Sequence, residues 1–530
     1  MKKIIPLIGL LLCFSLVNSQ VPYEYLDINN IKARVNAHPS LFWDLEGNSD
    51  YSFYENSILK STIFAHGLWI GGKNSGVTYL AACTYSDDGQ DFYPGPIANN
   101  YNSVYDAKYN RLWKINMAEI ENHIINFDNS SYTMPEVIAN WPAHGNTNNG
   151  EASTLAPFVD VNNNSYYDPQ NGDYPYFNGY QAIFLILNDD RGAHGETNGE
   201  KLGVELHVMI YGYNCANYII DKTVFISYKI INRSNNDYNN VYLGAFTDID
   251  IGNGWNDYIG CDTIRNMYYV YNNNELDQMP VHTSQGVYFL NYPMSKFIYI
   301  NNTTNANGTP TTSTHYYNYL LAKWKDGTPL TIGGNGYGDT IPTNYAFPGN
   351  PNDTVSWNEV AEGNAGGDRR GFGISGPLDF YKGDELCLVL AFVHATNTSS
   401  YYESINDLKF YESHLSSVFD DLNLDCNYWT GININSKDDI HISIFPNPTT
   451  GKIRVRAEGI ERIEVMNMQG KIMHTIITSK AKQSVNNNGI ASLSTVVRND
   501  EIDLRTQPKG IYIIKVTTKH GVGIKKIVKQ

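Results

Sequence analysis

The segment Asp160-Val161-Asn162-Asn163-Asn164-Ser165-Tyr166-Tyr167-Asp168 carries oxygen-bearing side chains at its first, third, fifth and ninth positions. That is the spacing with which D-x-[DN]-x-[DN] loops wrap a calcium ion, because alternate side chains on a tightly curled backbone converge on one point. Tyr166, at the seventh position, would supply its backbone carbonyl, and Asp173 would close the shell. With Asp160, Asp168 and Asp173 ionised the ligands are strongly anionic, which suits a structural Ca2+ pinning a long loop. Two positions depart from the pattern. Ser165 stands where glycine usually makes the left-handed turn, at a cost on the order of 1 kcal/mol. Asn171 stands where a bidentate glutamate would close the loop. The same residues equally suit an Asn/Asp-rich turn whose side chains bond their own backbone.

Other groups carry less. His66, His194 and His207 could converge on a metal, yet each also suits a hydrogen-bonded histidine inside a β protein. Glu205 and the run Asp248-Ile249-Asp250 fall on or at the ends of expected strands. Paired carboxylates about 5–9 Å apart would suit glycoside hydrolysis, a distance that spacing alone does not supply. No H-E-x-x-H is present to place two histidines one helical turn apart. Ser375 lacks the second glycine of G-x-S-x-G. Residues 67–73 match the first part of a phosphate loop, but Asn74 replaces the hydroxyl that holds Mg2+ and Leu68-Trp69-Ile70 reads as strand. Cys83, Cys215, Cys261, Cys387 and Cys426 show no C-x-x-C spacing, so neither zinc nor a redox pair is signalled. One or two disulfides are possible, while Cys215 and Cys387, in or beside apolar strands, read as buried small hydrophobes.

The elements that must position these groups are almost all strands. Val204, Leu206, Val208 and Ile210 alternate with Glu205, His207 and Met209, which predicts a strand with two distinct faces. Residues 182–187 and 386–393 are unbroken apolar runs, expected of fully buried strands. Residues 223–231 and 241–247, separated by a polar turn, read as a strand pair. Helical periodicity is confined to short stretches near 104–125 and 404–420. The fold class is therefore mainly β: one or two antiparallel β-sandwich domains with long loops and a possible seam near 310–320. Forty tyrosines and eight tryptophans exceed what a core needs. Many fall in polar loops, as at Tyr166, Tyr167, Tyr174 and Tyr176, where rings could stack on sugars or simply fill half-buried positions.

Compartment is written at both ends. Lys2 and Lys3, an apolar stretch from Ile4 to Val17 and a small-residue site before Gln20 read as a signal peptide over residues 1–19. No later stretch approaches the ~20 apolar residues of a spanning helix, so no transmembrane span is expected in the mature chain. From His441 onward the chain has a charge balance of +9, whereas the part before it stands at −25. That break marks a boundary, with residues 427–440 as linker. An acidic body argues against nucleic-acid partners, since phosphate neutralisation needs a basic face.

Beyond the boundary come Ile444-Phe445-Pro446-Asn447-Pro448-Thr449-Thr450-Gly451, a turn at Gln469-Gly470-Lys471, the element from Pro508 through Gly510 and Tyr512 to Lys515, and Lys525, Lys526 and Lys529. In that order they resemble the type A C-terminal sorting domain of type IX secretion cargo from Bacteroidetes. The resemblance implies a small Ig-like β-sandwich over 441–530, the type IX machinery as partner, and a secreted or outer cell-surface location. Residues 480–500 look like an insertion into that pattern. In the body, Leu41-Phe42-Trp43-Asp44, residues 63–72, residues 91–96, Gly366-Gly367-Asp368-Arg369-Arg370 and Ser375-Gly376-Pro377 resemble a family of large exported Bacteroidetes proteins without an established activity. Two functions stay open. One is non-catalytic binding or adhesion to glycan, matrix or cell-surface ligands. The other is a secreted, glycosidase-like hydrolase whose acidic site is built from loops.

Overall fold

Gln181–Asn188, Val204–Gly212 and Thr223–Asn232 are buried at every residue, which requires cover on both faces of their sheet. In the computed structural model they lie near the middle of a nine-stranded antiparallel sheet. It runs Asp257–Asp262, Met267–Asn272, His282–Phe289, Glu385–Asn397, Thr223–Asn232, Val204–Gly212, Gln181–Asn188 and Tyr93–Pro94, with Trp113–Asn116 also on Gln181–Asn188. The described residues are 21–426 except 56, 87, 88, 215, 216, 274, 275, 277 and 423, then 443–445, 449–458, 460–467, 472–477, 497–508, 510–518 and 521–529. The expected signal peptide, the linker, Cys215 and most of the 480–500 insertion lie outside them.

One face of this central sheet packs on a second, eight-stranded antiparallel sheet. Its order is Tyr23–Leu26, Ile31–Asn36, Tyr51–Glu55, Ile58–Asn74, Tyr238–Ile249, Arg369–Phe380 and Lys296–Asn301, with Val77–Ala81 on Ile58–Asn74. Ile183, Leu206, Ile226 and Leu390 of the first sheet share a core with Ile63, Ala245, Ile298 and Tyr51 of the second. The other face of the central sheet carries Phe184, Met209, Phe225 and Val389, covered by Ile405, Leu408 and Leu415 of helix Tyr401–Leu422 and by Trp141 and Phe158 of the preceding loops. Burial on both sides is why residues 182–187 and 386–393 carry no polar alternation.

One sequence expectation changes. Residues 223–231 and 241–247 are both strands but do not pair. Thr223–Asn232 bonds to Val204–Gly212 and Glu385–Asn397, whereas Tyr238–Ile249 bonds to Ile58–Asn74 and Arg369–Phe380. The polar turn carries the chain from one sheet to the other. Alternation identifies a strand's buried face without naming its neighbour, so a crossing between sheets reads like a hairpin. Residues 310–320 hold helix Ser313–Leu320, whose Tyr316, Tyr319 and Leu320 join the core formed by the strands.

Many of the tyrosines are interior, and few of those described are fully exposed. Tyr51, Tyr211, Tyr238, Tyr268, Tyr269, Tyr271 and Tyr288 are among the largest fully buried side chains. Several spend their hydroxyl on the backbone, as Tyr238 does on the Leu202 carbonyl at 2.6 Å and Tyr288 on Leu408 at 2.6 Å. Of the loop tyrosines singled out by sequence, Tyr167 is buried and donates to the Ile138 carbonyl at 2.6 Å, while Tyr166 is exposed. Much of the tyrosine excess is thus spent in the core and in half-buried positions.

Cys387 is buried and also bonded: it forms a disulfide with Cys426, 39 residues on. Cys83 and Cys261 are buried free thiols whose pKa is pushed well up by burial, the opposite of a nucleophile's environment.

In the C-terminal part, Ser443–Phe445, Lys452–Glu458 and Val497–Asp503 form a three-stranded antiparallel sheet, and Ile472–Ile477, Ile460–Asn467, Gly510–Thr518 and Gly521–Lys529 a four-stranded one. Ile453, Val455, Ile463, Val465, Tyr512, Ile514 and Val516 pack into a single core between them, as the alternation of both segments predicts. The result is a small β-sandwich.

Candidate functional site

Asp248 and Arg370 are register partners on adjacent strands of the second sheet, so their side chains share a face. Two residues along the same antiparallel ladder, the register pair Phe246 and Phe372 sits on that face with Trp69, under Tyr316 of the helix at 313–320. The row thus changes from apolar to charged where the helix cover stops. A cavity of about 540 Å³ opens there. Its floor is Asp248, Asp250, Asp368 and Arg370, and its walls include Trp43, Phe64, Tyr85 and Trp255.

The floor is densely charged. The Tyr85 hydroxyl donates to Asp248 Oδ2 at 2.5 Å, and Arg370 Nη2 donates to Asp368 Oδ2 at 3.2 Å. Arg370 Nε lies 3.7 Å from Asp248 Oδ2, and Nη1 reaches Thr309 Oγ1 at 3.3 Å. Asp248, Asp250 and Asp368 can each offer an oxygen within 4.8 Å of the others. Burial, then repulsion from Asp250, pushes the Asp248 carboxyl up to about 8 against the pull of Arg370. Burial and the Asp368 charge push Asp250 up to about 6. Asp248 Oδ1, Asp368 Oδ1 and Arg370 Nε are buried without a hydrogen-bond partner. Gly254 allows the loop after the strand to fold over Asp250: a Cβ there would meet Asp250 Oδ1 at 2.2 Å.

The walls are aromatic. Trp43 and Phe64 lie 5.5 Å apart, and Tyr85 stands edge-on to both at 5.8 and 5.9 Å. Trp43 is fixed from below by its Nε1 bond to Ser40 Oγ at 2.7 Å. Trp255 stands 68% exposed at the rim, so its ring is free to meet a ligand.

The loop singled out by spacing is built as a closed turn. Asp160 accepts from the Asn164 and Ser165 amides at 3.2 and 2.7 Å, and Ser165 takes the left-handed conformation its position demands, at φ 64°. Asn162 and Asn164 each donate to Asp168 at 3.0 Å. Asn164 Oδ1 accepts from the Tyr166 amide at 2.8 Å. Asp173 is buried and ties the ends of the loop, accepting from the Val161 amide at 2.8 Å and the Asp168 amide at 2.9 Å. Asp160, Asn162, Asn164, Asp168 and Asp173 are thereby gathered, while the Tyr166 ring turns outward to stack on His144 at 4.9 Å.

The remaining candidates are held by separate partners. His66 sits between the sheets, bonded to Thr247 and Tyr228 at 3.0 Å each. His194 faces the Leu80 and Asp189 carbonyls. His207 is 2.9 Å from Glu205, which also takes Arg233 at 2.9 Å. Burial would raise Glu205, but His207 and Arg233 hold it down to about 2, the state of a satisfied internal ion pair. Residues 67–73 lie within strand Ile58–Asn74, and a Cβ at Gly67 would meet the Cys83 carbonyl at 2.2 Å. Their glycine serves close packing rather than phosphate.

Sequence reasoning picked out Asp248 and Asp250 but missed Asp368, Arg370, Trp43, Phe64, Tyr85 and Trp255. A signal was present: Trp43, Phe64, Asp368 and Arg370 all lie inside the phrases that carry the body's resemblance.

Residues 443–530 match the family model described as a secretion system C-terminal sorting domain. The chain carries a type IX secretion sorting domain at its C-terminal end. Its two-sheet C-terminal unit is the sorting domain, which engages the secretion machinery and places the protein outside the cell or on its outer surface. Among the described residues no helix is long and apolar enough to cross a membrane. No curated protein matches the chain. Solved structures with some similarity include a polysaccharide lyase, with 9% identity over 66% of this chain and a TM-score of 0.19. The alignment takes in 35% of that lyase, so the chain spans about a third of its length. An aldose 1-epimerase-like protein from Escherichia coli K12 aligns over 71% of this chain and 99% of its own, at 8% identity and a TM-score of 0.25. An aldose epimerase homologue from Caenorhabditis elegans aligns over the same shares at 7% identity and a TM-score of 0.26. At such scores these likenesses carry no argument about this chain.

Proposed function

We propose that the exported body is a glycan-binding protein whose ligand site is the Asp248–Arg370 cavity. The observation that carries this reading is the composition of the cavity: aromatic walls and an exposed tryptophan rim above a floor of carboxylates and one guanidinium. Sugar rings offer apolar faces to aromatic rings and hydroxyls to charged acceptors and donors, which is the pairing these walls and floor provide. A location outside the cell puts polysaccharide within reach. The test is a glycan array with the purified full chain against Trp255→Ala. Trp255 supports no core, so the variant keeps its fold, and array signal is expected to fall at least about tenfold, ~1.4 kcal/mol. An array on which the native chain binds no glycan defeats the reading.

The hydrolase alternative draws on one feature. The three aspartates approach as closely as the carboxylate pair of a retaining glycosidase, about 5–5.5 Å apart. Release of reducing ends from an array-positive glycan would favour it, and Asp250→Asn would then abolish release.

The loop at 160–173 is proposed as a structural Ca2+ site, with Asp160, Asn162, Asn164, Asp168 and the Tyr166 carbonyl as ligands and Asp173 bracing the ends. Its support is the ligand spacing and the left-handed turn at Ser165. The melting temperature of the protein is expected to rise by a few degrees in millimolar Ca2+, and Asp160→Ala to remove the rise. An identical melt with and without chelator disposes of this site.

A further inference from the structure

We propose that Asp248, Asp250 and Asp368 hold a second Ca2+ at the floor of the cavity, with open coordination positions that take two neighbouring hydroxyls of a sugar. The second half rests on the glycan reading above; the first does not.

Geometry is the first ground. Ca2+ takes oxygen ligands at about 2.3–2.6 Å, so two ligands on opposite sides of the ion lie about 4.6–5.2 Å apart. The three aspartates present oxygens within 4.8 Å of one another, a spread that one such ion spans. Unmet bonding is the second and independent ground. Asp248 is only 5% exposed, and its Oδ1 is shut away from water with no donor; Asp368 Oδ1 is in the same condition. A buried carboxylate oxygen without a partner is costly, and a cation would supply one to both. Charge is the third. Three carboxylates and Arg370 leave two net negative charges when the carboxyls are ionised, which a divalent ion neutralises. Arg370 does not fill that role for all three, since its closest approach to Asp248 is 3.7 Å.

The site also has a way to reach its ligand. Ca2+ accepts six to eight ligands, and three carboxylates leave places over. Those places face a cavity open at the Trp255 rim. A vicinal diol would displace two waters there while its ring meets the aromatic wall, so cation and tryptophan would grip one sugar from two sides.

Terbium luminescence sensitised by tryptophan reads the site directly, because Trp43 and Trp255 line the cavity. The full chain carrying Asp160→Ala, which removes the loop site, is titrated with Tb3+ and then with competing Ca2+. Saturable emission reversed by Ca2+ is expected. Adding Asp250→Asn or Asp368→Asn should weaken Tb3+ binding at least tenfold, while circular dichroism shows both variants folded. No sensitised emission from the Asp160→Ala chain overturns the proposal, as does a titration that neither aspartate variant alters. Glycan binding in chelator separates the two readings. If Tb3+ binds as expected and chelation cuts array signal at least tenfold, the bridging role stands. If the array signal survives chelation, the glycan site stands and the bridge is overturned.

Discussion

Replacing Arg369 by methionine is expected to lower the stability of the protein by about 3–5 kcal/mol. Glu359 is fully buried, and Arg369 meets it with Nη2 at 2.9 Å and Nε at 3.1 Å. Arg369 also donates to Asn301 Oδ1 and to the Ala365 carbonyl at 2.7 Å each, while the Ile259 amide donates to Glu359 Oε2 at 2.7 Å. The pair therefore pins the long excursion between strands Lys296–Asn301 and Arg369–Phe380, which delivers Asn302 and Asp368 to the cavity. Methionine fills similar volume but leaves Glu359 a buried charge with one amide for company. The Arg369→Met, Glu359→Gln double variant removes that charge and should recover most of the loss, because the penalty is the orphaned carboxylate rather than the missing attraction. Urea unfolding followed by tryptophan fluorescence measures both. A loss below about 1 kcal/mol for the single variant would show that the excursion is held elsewhere.

Deleting residues 441–530 is expected to abolish surface delivery and leave a folded body in the periplasm. The sorting domain has its own core, built from Ile453, Ile463, Ile514 and their neighbours, whereas the two cores of the body draw on described residues up to Cys426. Both cysteines of the disulfide precede the cut, so the truncated body should still form it, with the ~4 kcal/mol that closing a loop of this length contributes. Protease protection of the periplasmic fraction and surface labelling of whole cells read the two halves. Normal surface delivery of the truncated chain would sink the idea.

What the residues announced and what they hid divide along a physical line. The motif at 444–451 and the alternation at 512–516 announced the sorting domain, because its signals are local. Strands at 182–187, 204–210 and 386–393 were legible for the same reason: each face's environment is written in one segment. The partner of a strand is not local. Residues 223–231 and 241–247 each read correctly and still belong to different sheets. The cavity was hidden at the same level. Asp248 and Asp368 meet only because Asp248 pairs in register with Arg370, and register between distant strands is fixed by packing that a single segment does not encode. Tyrosine number was silent in another way, since composition does not say which rings turn inward.

Glycan binding by the exported body through the Asp248–Arg370 cavity, as proposed above, is open to a direct measurement. That measurement is the binding of fluorescent array-positive oligosaccharide to intact cells displaying the native chain or Trp255→Ala, with surface protein quantified by antibody. At equal display, native cells should bind the oligosaccharide and Trp255→Ala cells at least about tenfold less. Equal binding by the two would contradict the account.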